Sequence, residues 1–543
     1  MSTFARYFHT VRHLRPAQVV GRVRLLLSRP RPDVRPAPPA RELHAPYTAP
    51  VAPQPSLLGA ARFRFLNLER DCPGVADWQA RDVSRLWVYN LHYFDDLNAV
   101  GGATRHAWHT ALLRRWVAEN PPGQGAGWEP YPLSRRIINW VKWSARGNVL
   151  PPQCHASLAV QSRWLTQRLE YHILGNHLFA NAKALVHAGL YCQGEEAESW
   201  YALGMRIVAR ELREQVLPDG GHFELSTMYH AAALEDLLDL INVLRAFGRE
   251  VPSEWLTTAA RMQRWLVVMS HPDGEIAFFN DAAFGVAPTG AELEAYAVRL
   301  GLPTALPVAE SLLTLNDSGY VRAAAGAAYL ICDCAQVGPD YLPGHAHADT
   351  LSFELSLGGQ RLLVNSGTSE YGTGVERLRQ RGTAAHNTVV IDGQDSSEVW
   401  SGFRVARRAR ARLQRVASGT ALVIAAGHDG YRRLRGGNLH ERQWILDARS
   451  LRIEDRISGA FGAAAAWFHL APHVEARQTG AAEILLRWAD NGCARLVFDG
   501  ASALSVSEST WHPRFGVSLA NRAVVALFSA ATLSTSLCWD NVQ

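Results

Sequence analysis

The sequence predicts a multidomain α+β protein, in which an N-terminal array or toroid of α-helices precedes a C-terminal antiparallel β-sandwich. A chain of 543 residues is too long for one ordinary domain. Between about residues 105 and 300 apolar residues recur with helical spacing and no interleaved strands, whereas after about residue 310 short strand-like runs follow one another. The predicted units are 1–60 (helix and proline-rich linker), 61–308 (helical catalytic domain) and 309–543 (β-sandwich).

The N-terminal region predicts a helix followed by an extended linker. Residues 5–28 have the pattern of one amphipathic helix, and residues 30–56 contain many prolines. Residues 1–38 carry eight arginines and one acid, Asp33. This charge favours a solvated helix, with contact to a membrane surface as the open alternative. The patterns at 63–65 and 87–89 favour short strands.

The middle of the chain predicts a succession of helical hairpins. Leu234, Leu237, Leu238 and Ile241 follow the i, i+3, i+4, i+7 spacing of one buried helix face. Similar stripes recur at 112–117 and 137–141, and loops rich in proline and glycine separate them. Helices in series without strands predict an all-α array or toroid.

The last third of the chain predicts the sandwich. Strand-like runs are separated by turn signals such as Gly358-Gly359 and Asp392-Gly393. The predicted strands are at 319–323, 327–334, 351–357, 360–364, 387–391, 410–416, 420–425, 441–447, 450–456, 465–470 and 484–488.

Composition excludes several classes of protein. The net charge is +5, and of 55 basic residues only Lys142 and Lys183 are lysines, but no nucleic-acid module accompanies this charge. The seven cysteines contain no CxxC spacing and predict neither a disulfide framework nor a zinc finger. The sequence contains no apolar run of about 18 residues, so we expect no transmembrane helix. No secretory signal is recognised, so we expect a cytoplasmic location. The sequence does not fix an oligomeric state.

The chemistry concentrates around His345 and His347, which are followed by Asp349 and an alternating apolar run. On a strand the two histidines would point the same way. An acid just before a strand is often only a turn residue. Polar residues on the next strands and on earlier helices complete a set suited to proton transfer on a polar substrate.

Three other segments contribute candidates. Asn176 stands near the start of a predicted helix, where it could help to bind an anion or simply cap the helix. Tyr229 and His230 follow a glycine-rich turn and fall in the first turns of the next helix, where a half-buried tyrosine is the alternative. Arg135 and Arg136 could hold a substrate carboxylate or pair with nearby acids.

Together these segments, 128–143, 175–190, 219–230, 344–367 and 384–393, resemble bacterial polysaccharide lyases of the heparinase II/III type. The resemblance covers about residues 85–405, and the ordered set is more specific than any one motif. It implies an (α/α) toroid followed by antiparallel β-sheets. It also implies β-elimination at uronic-acid residues of an acidic polysaccharide or oligosaccharide.

The resemblance implies roles for individual residues. Asn176, with His177, would neutralise the uronate carboxylate, and Tyr229 would be the base or the acid, with His345 as its partner. As a base, Tyr229 would need a lowered pKa, which a nearby arginine or histidine could provide. The predicted substrate-binding residues are Tyr93, Trp128, Arg135, Arg136, Glu224, His230 and Arg381.

His347, Asn365 and His386 match a metal-binding trio of part of the family, in which the middle position is commonly aspartate. The trio predicts at most one structural divalent metal, zinc or calcium, and no other cofactor. A hydrogen-bonded cluster without metal is the alternative, because an amide weakens a zinc site.

The leading hypothesis is a lyase, with a link to exopolysaccharide or capsule metabolism. One alternative is a glycoside hydrolase on the same scaffold, which would take an acid and base from Glu129, Glu224, Asp281 or Asp349. The other alternative is a non-catalytic protein that binds or assembles polysaccharide.

Overall fold

The computed structural model describes residues 3–304, 308–489 and 491–540. Two short helices begin the chain, α1 (Thr3–Val11) and α2 (Pro16–Leu27). The single helix expected at 5–28 is therefore wrong, because Pro16 lacks the N–H that would continue α1 and instead begins α2. An extended segment follows and leads to a hairpin of β1 (Arg62–Phe65) and β2 (Leu68–Asp71).

Among the described residues, nine helices then form the toroid. They are α3 (Arg85–Tyr93), α4 (His106–Glu119), α5 (Pro130–Ala145), α6 (Pro152–Gln167), α7 (Gly175–Tyr191), α8 (Glu195–Gln215), α9 (Thr227–Ala246), α10 (Ser253–Val268) and α11 (Gly290–Arg299). The strand expected at 87–89 is wrong, since these residues lie in α3, where Ser84 caps the first turn through Trp87 N.

In the described part of the chain, three larger antiparallel sheets and one two-stranded sheet follow the toroid. A five-stranded sheet has the order β3 (Leu312–Leu315), β4 (Tyr320–Ala325), β5 (Ala328–Asp333), β6 (Phe353–Leu357) and β7 (Gln360–Leu363). A short helix, α12 (Val375–Arg381), precedes β8 (Val389–Ile391), and β9 (Val399–Trp400) pairs with β10 (Arg404–Val405).

The remaining strands form the two larger layers. These strands are β11 (Ala411–Ala417), β12 (Leu422–His428), β13 (Leu439–Leu446), β14 (Ser450–Ser458), β15 (Ala464–His469), β16 (Glu475–Gly480), β17 (Glu483–Trp488), β18 (Gly492–Asp499), β19 (Ala503–Trp511), β20 (Leu519–Phe528) and β21 (Thr532–Trp539). The sheet orders are β11-β12-β13-β14-β21-β18-β17-β16 and β19-β20-β15-β8.

Two large apolar cores correspond to the two parts of the chain. One lies among the toroid helices and contains many tryptophans, and the other lies between the sheets. A smaller core joins them, with Trp265 of α10 close to Tyr320 of β4. This contact holds loops of the two parts together, and the candidate site lies among those loops. All seven cysteines are free thiols. Among the described residues, no helix has the length and hydropathy needed to span a bilayer.

Candidate active site

The candidate active site lies where the starts of α7 and α9 meet the loop before β6. Asn176 is in the first turn of α7 and is not its cap, since the helix begins at Gly175. Gly175 has a φ of +56°, which glycine adopts without strain. Ser226 caps α9 by accepting a hydrogen bond from Tyr229 N, and its hydroxyl donates to the backbone oxygen of Asp281. The start of α9 is thereby tied to the centre of the site.

Asp281 organises the site. Its carboxylate accepts hydrogen bonds of 2.9 Å from His345 Nδ1 and 2.8 Å from His347 Nε2, and Arg377 pairs with both of its oxygens. Burial disfavours the charged carboxylate, but Arg377 and the two histidines outweigh it and hold the pKa of Asp281 well below its usual value. The ionised Asp281 keeps the proton of His345 on Nδ1, so Nε2 is free to accept one.

Tyr229 lies against His345, with their ring centroids 3.9 Å apart. Its hydroxyl is 2.9 Å from the hydroxyl of Tyr371. Burial, together with the neighbouring Tyr371 and Asp281, raises the pKa of Tyr229 well above its usual value. The lowered pKa expected for a tyrosine base is therefore wrong for the free protein. Tyr229 keeps its proton and is suited to donate it.

His177 lies next to Asn176 in the chain and faces a buried carboxylate. Its Nδ1 lies 3.1 Å from Glu170 Oε1, and Asn181 fixes Glu170 by donating to Oε2 at 3.0 Å. Burial lowers the pKa of His177, but the carboxylates of Glu170 and Glu224 outweigh burial, so its pKa lies above the usual value. The side chain is 30% exposed, which leaves it accessible to an anion at the N-terminus of α7.

Glu224 forms part of the buried floor. Among the described residues, neither of its carboxylate oxygens has a hydrogen-bond partner, and Oε2 lies 3.6 Å from His345 Nε2. Burial raises its pKa, although the nearby His345 and His177 act in the opposite direction. An unpaired buried carboxyl favours its neutral form. A substrate hydroxyl could satisfy its oxygens.

Two of the predicted substrate-binding residues of the toroid are structural. Trp128 is buried, and its indole donates to the backbone oxygen of Asn120. Arg136 is fully buried, donates to the backbone oxygen of Gly127 and stacks on Trp116 at 3.7 Å. The expectation that they contact substrate is wrong, because helix packing already occupies both side chains.

The same correction applies to His230 and Arg381. His230 is fully buried against Trp265, with Nε2 2.9 Å from the backbone oxygen of Met262. Arg381 is fully buried and donates to the backbone oxygens of Ala346 and Ser401. Neither side chain faces the cleft. Arg381 instead supports the loop that carries the site histidines.

Tyr93 and Arg135 lie beside the site. Tyr93 is buried, with its ring 5.9 Å from that of Tyr131, which in turn lies 4.6 Å from His177. Arg135 keeps 28% of its side chain exposed and lies 3.2 Å from Asp95. Arg135 is therefore the one predicted arginine of this group that stays accessible to an anionic substrate.

A second cluster lies beneath the site. His347, Asp349 and His386 are buried and bring one ligand atom each to within 4.8 Å of the others. His347 Nδ1 faces His386 Nε2 at 3.2 Å, while the other nitrogens face acceptors, Asp281 for His347 and Asn365 Oδ1 for His386. The nitrogens that face those acceptors therefore carry the protons, so the lone pairs of the other two nitrogens face each other. A cation would stabilise this arrangement, and these residues could therefore hold a metal.

Asn365 as a direct metal ligand is wrong. Its Nδ2 donates to the backbone oxygen of Phe278, and its Oδ1 lies on the side of His386 that faces away from His347. Asp349 takes the place expected for the carboxylate. Burial raises the pKa of Asp349, and a bound cation would favour its ionised form. The signal in the sequence that could have identified Asp349 as a ligand is its position two residues after His347.

The roles of several other residues of the site were not predicted correctly from the sequence. Asp281 was considered only as an acid of a hydrolase, and Tyr371 carried no motif. Arg377, four residues before the predicted substrate-binding Arg381, is fully buried on Asp281. The predicted strand geometry of His345 and His347 is also wrong. They lie in a loop before β6, and what they share is the carboxylate of Asp281.

The chain is similar to known proteins along most of its length. The model for the Heparinase II/III N-terminus matches residues 100–290, and that for the Heparinase II/III-like, C-terminal domain matches 308–540. A heparin-sulfate lyase of Bacteroides stercoris is 29% identical over 252 residues, 42% of this chain and 38% of the relative. FtsZ-localized protein C of Caulobacter vibrioides is 29% identical over 401 residues, 69% of this chain and 66% of the relative.

Solved structures show the same fold. A crystal structure of heparinase III has a TM-score of 0.70 at 18% identity and covers 86% of this chain and 79% of its own. A mutant of heparan sulfate lyase HepC from Pedobacter heparinus has a TM-score of 0.61 at 18% identity and covers 89% and 82%. Both likenesses support the toroid followed by the β-sandwich.

Proposed function

The chain belongs to the heparinase II/III-like family, and we propose that it is a polysaccharide lyase that cleaves a uronate-containing acidic polysaccharide by β-elimination. One observation carries this proposal: His345, with Nε2 free, lies directly against Tyr229, whose raised pKa keeps its proton. A base and an acid stand side by side, which suits an elimination in which both act on the same face of the sugar. The relatives named as heparin-sulfate lyases support an acidic polysaccharide as the substrate class.

The first step is neutralisation of the uronate carboxylate. The C5 proton of a uronate is too weakly acidic to leave unaided, and its loss places negative charge on the carboxylate. In the proposal Asn176 donates hydrogen bonds to this group, and His177 supplies a positive charge held by Glu170. Arg135 would bind a further anionic group of the polymer.

The second step is elimination. His345 Nε2 accepts the C5 proton, the electron pair forms the C4–C5 double bond, and the C4–O4 bond breaks. Tyr229 donates its hydroxyl proton to the departing O4. The products are a new unsaturated uronate end and a new hydroxyl end. Return of the proton from His345 to Tyr229 through solvent restores the starting state. Asp281 stabilises the imidazolium that forms in between.

We further propose that His347, Asp349 and His386 hold one structural divalent cation. Such an ion supplies a rigid anchor between the loop that carries His345 and the start of β8. The buried lone pairs of the two histidines support this assignment. His347 of this cluster also contacts Asp281, so the ion would affect catalysis only by positioning these side chains.

Hydrolysis finds less support in the geometry. A glycoside hydrolase needs two carboxyl groups that flank the scissile bond. Of the four acids considered, Asp281 is sealed by Arg377, Asp349 lies in the buried histidine cluster, and Glu129 pairs with Arg85. Of these four acids only Glu224 has unpaired carboxylate oxygens at the site, and a single carboxyl does not make the pair.

The proposal also extends to the origin of the polymer and to the cellular compartment of the protein. We propose a link to exopolysaccharide or capsule metabolism, and a cytoplasmic location stays a prediction. The host's own exopolysaccharide therefore belongs in any substrate panel, beside heparan sulfate, hyaluronan and alginate.

The test is the ultraviolet absorbance of unsaturated uronate, measured with purified protein on that panel. We expect a rise with the wild type that Tyr229→Phe reduces by about 10²-fold or more, because the phenylalanine has no proton to donate. New reducing ends without the absorbance would mean hydrolysis. Binding without either signal on any polymer would favour a non-catalytic protein.

A further inference from the structure

We propose that α1 and α2 form a surface that docks on an anionic lipid bilayer. The docking face consists of the exposed apolar residues Phe4, Phe8, Val11, Val19, Val20, Val23, Leu26 and Leu27. Ten of the 27 large apolar side chains that are exposed in the described part of the chain lie in residues 4–27. Such a concentration marks an interaction surface, whereas single exposed apolar residues are ordinary.

The apolar side chains of α2 lie on one face of the helix. Residues 19, 20, 23, 26 and 27 have the i, i+1, i+4, i+7, i+8 spacing of a single stripe. Val20, Leu26 and Leu27 are 66%, 77% and 78% exposed. In a helix packed in the usual way this stripe would be buried.

The opposite face of α2 holds the helix against the protein. Gln18 is buried and donates to the backbone oxygens of Ile173 and Tyr341. Gly21 lies so close to the chain that a Cβ atom there would be 2.7 Å from the backbone nitrogen of His172. These contacts fix the rotation of α2 about its axis. The apolar stripe therefore faces outward as a consequence of packing.

α1 is held in the same manner. Thr10 Oγ1 accepts a hydrogen bond from the indole of Trp400, and the ring of Tyr7 lies 4.9 Å from that of Trp400. Phe4, Phe8 and Val11 follow the i, i+4, i+7 spacing on another side, and Phe4 is 80% exposed. Both helices thus carry outward apolar residues while polar and aromatic contacts anchor them.

The positive charge of the N-terminal segment favours an anionic partner. Residues 3–32 contain seven arginines and no acid. Arg22 and Arg24 flank the apolar stripe of α2 on its two sides, and both are exposed. An apolar face bordered by cations is the pattern of helices that lie in the interface of anionic membranes. A second copy of the chain fits poorly, because pairing two such faces would bring arginines together.

The packed face of α2, opposite the docking face, contacts segments that lead into the candidate active site. His172 and Ile173, which contact α2, precede Asn176 by only a few residues, and Tyr341 precedes His345. If the proposed lyase function holds, docking would keep the cleft close to polymer at a lipid surface. The docking itself does not depend on catalysis.

The experiment is cosedimentation of the full chain with vesicles of phosphatidylglycerol mixed with phosphatidylcholine, or of phosphatidylcholine alone. We expect binding to the anionic vesicles that is at least about tenfold stronger and that weakens with added salt. Each of two variants, Arg22→Glu/Arg24→Glu and Val20→Asp/Leu26→Asp/Leu27→Asp, should lower anionic binding by about tenfold or more. The unfolding temperature of each variant verifies that it is folded.

Matched controls change similar residues elsewhere. Arg412→Glu/Arg415→Glu reverses two exposed arginines, and Val149→Asp changes a valine that is 83% exposed. Neither should alter vesicle binding by more than about twofold. Equal binding to both kinds of vesicle, no binding to either, or equal losses in the controls would overturn the proposal. So would a dimer in sedimentation that the α2 variants dissociate. None of these readouts uses polysaccharide, so they are independent of the lyase proposal.

Discussion

His345 and His347 stand two residues apart and bind the two oxygens of the same carboxylate, yet their other ring nitrogens lie in different environments. The side chain of His345 is 14% exposed and turns its free nitrogen toward Glu224 and Tyr229. His347 is fully buried and turns its free nitrogen toward His386. The pKa of His347 is lowered by burial to about 4, although Asp281 acts to raise it.

The difference shows how one buried acid can serve two tasks. Because Asp281 binds one nitrogen of each ring, it fixes the tautomer of both histidines and leaves one lone pair on each. The loop between Gly344 and Thr350 then directs one lone pair to the cleft and the other to the buried cluster. We therefore expect Asp281 to affect both parts, His386 chiefly the buried part, and Glu170 only the cleft.

Asp281→Asn should have the largest effect, because it removes the charge that both histidines and Arg377 share. Breaking a buried ion pair costs about 3–5 kcal/mol of stability, since Arg377 would stay buried without its counter-ion. Activity should fall at least about 10²-fold as His345 loses its fixed orientation. Denaturant unfolding and the absorbance assay measure the two losses.

A matched control for that substitution is Asp273→Asn, which breaks a carboxylate–arginine pair with Arg361 away from the site. Asp273 is 34% exposed, so the stability loss should be smaller, and activity should be retained. If Asp281→Asn and its control lowered activity alike, Asp281 would have no special place in the site.

His386→Ala should have an intermediate effect confined to the buried cluster. Loss of a buried hydrogen-bonded group costs about 1–3 kcal/mol, and loss of a bound cation would add to it. Elemental analysis of the wild type should detect one divalent metal per chain, and the variant should have lost it. Turnover should change by less than about tenfold. A metal-free wild type with unchanged stability after chelation would refute the cation proposal.

Glu170→Gln should have the smallest effect, a shift in pH dependence. Glu170 acts to raise the pKa of His177, and in the proposed mechanism a protonated His177 neutralises the uronate. Below its pKa His177 carries the charge, and the charge is lost as the pH rises through that pKa. The glutamine can still accept from Nδ1 but lacks the charge, so the alkaline limb of the kcat/KM profile should move to lower pH. Glu508→Gln, whose side chain is 89% exposed, should leave the profile unchanged.

Sequence patterns predicted the fold better than the side-chain contacts. Periodicity of apolar residues depends on local geometry, so the change from helices to strands was predictable, and the start of α9 placed Tyr229 as expected. The prediction of a single N-terminal helix is wrong because Pro16, at its centre, ends one helix and begins another.

The partners of the site were harder to predict because long-range packing decides them. Asp281 and Arg377 are 96 residues apart in the chain, and nothing local in either segment marks their pairing. The same holds for Arg136 and Arg381, whose charge suggested substrate but which donate to the backbone oxygens of His92 and Ala346, far from them in the chain. Asp349 was closer to prediction, since it stands two residues from His347.

The central claim is that His345 removes the C5 proton and Tyr229 protonates the leaving oxygen. The most direct test incubates a cleavable uronate polymer with Tyr229→Phe and with His345→Ala in heavy water, and measures deuterium at C5 in uncleaved chains. We expect that Tyr229→Phe, which keeps the base, incorporates deuterium without cleavage, and that His345→Ala does neither. Deuterium incorporation by His345→Ala but not by Tyr229→Phe would overturn these roles and make the tyrosine the base.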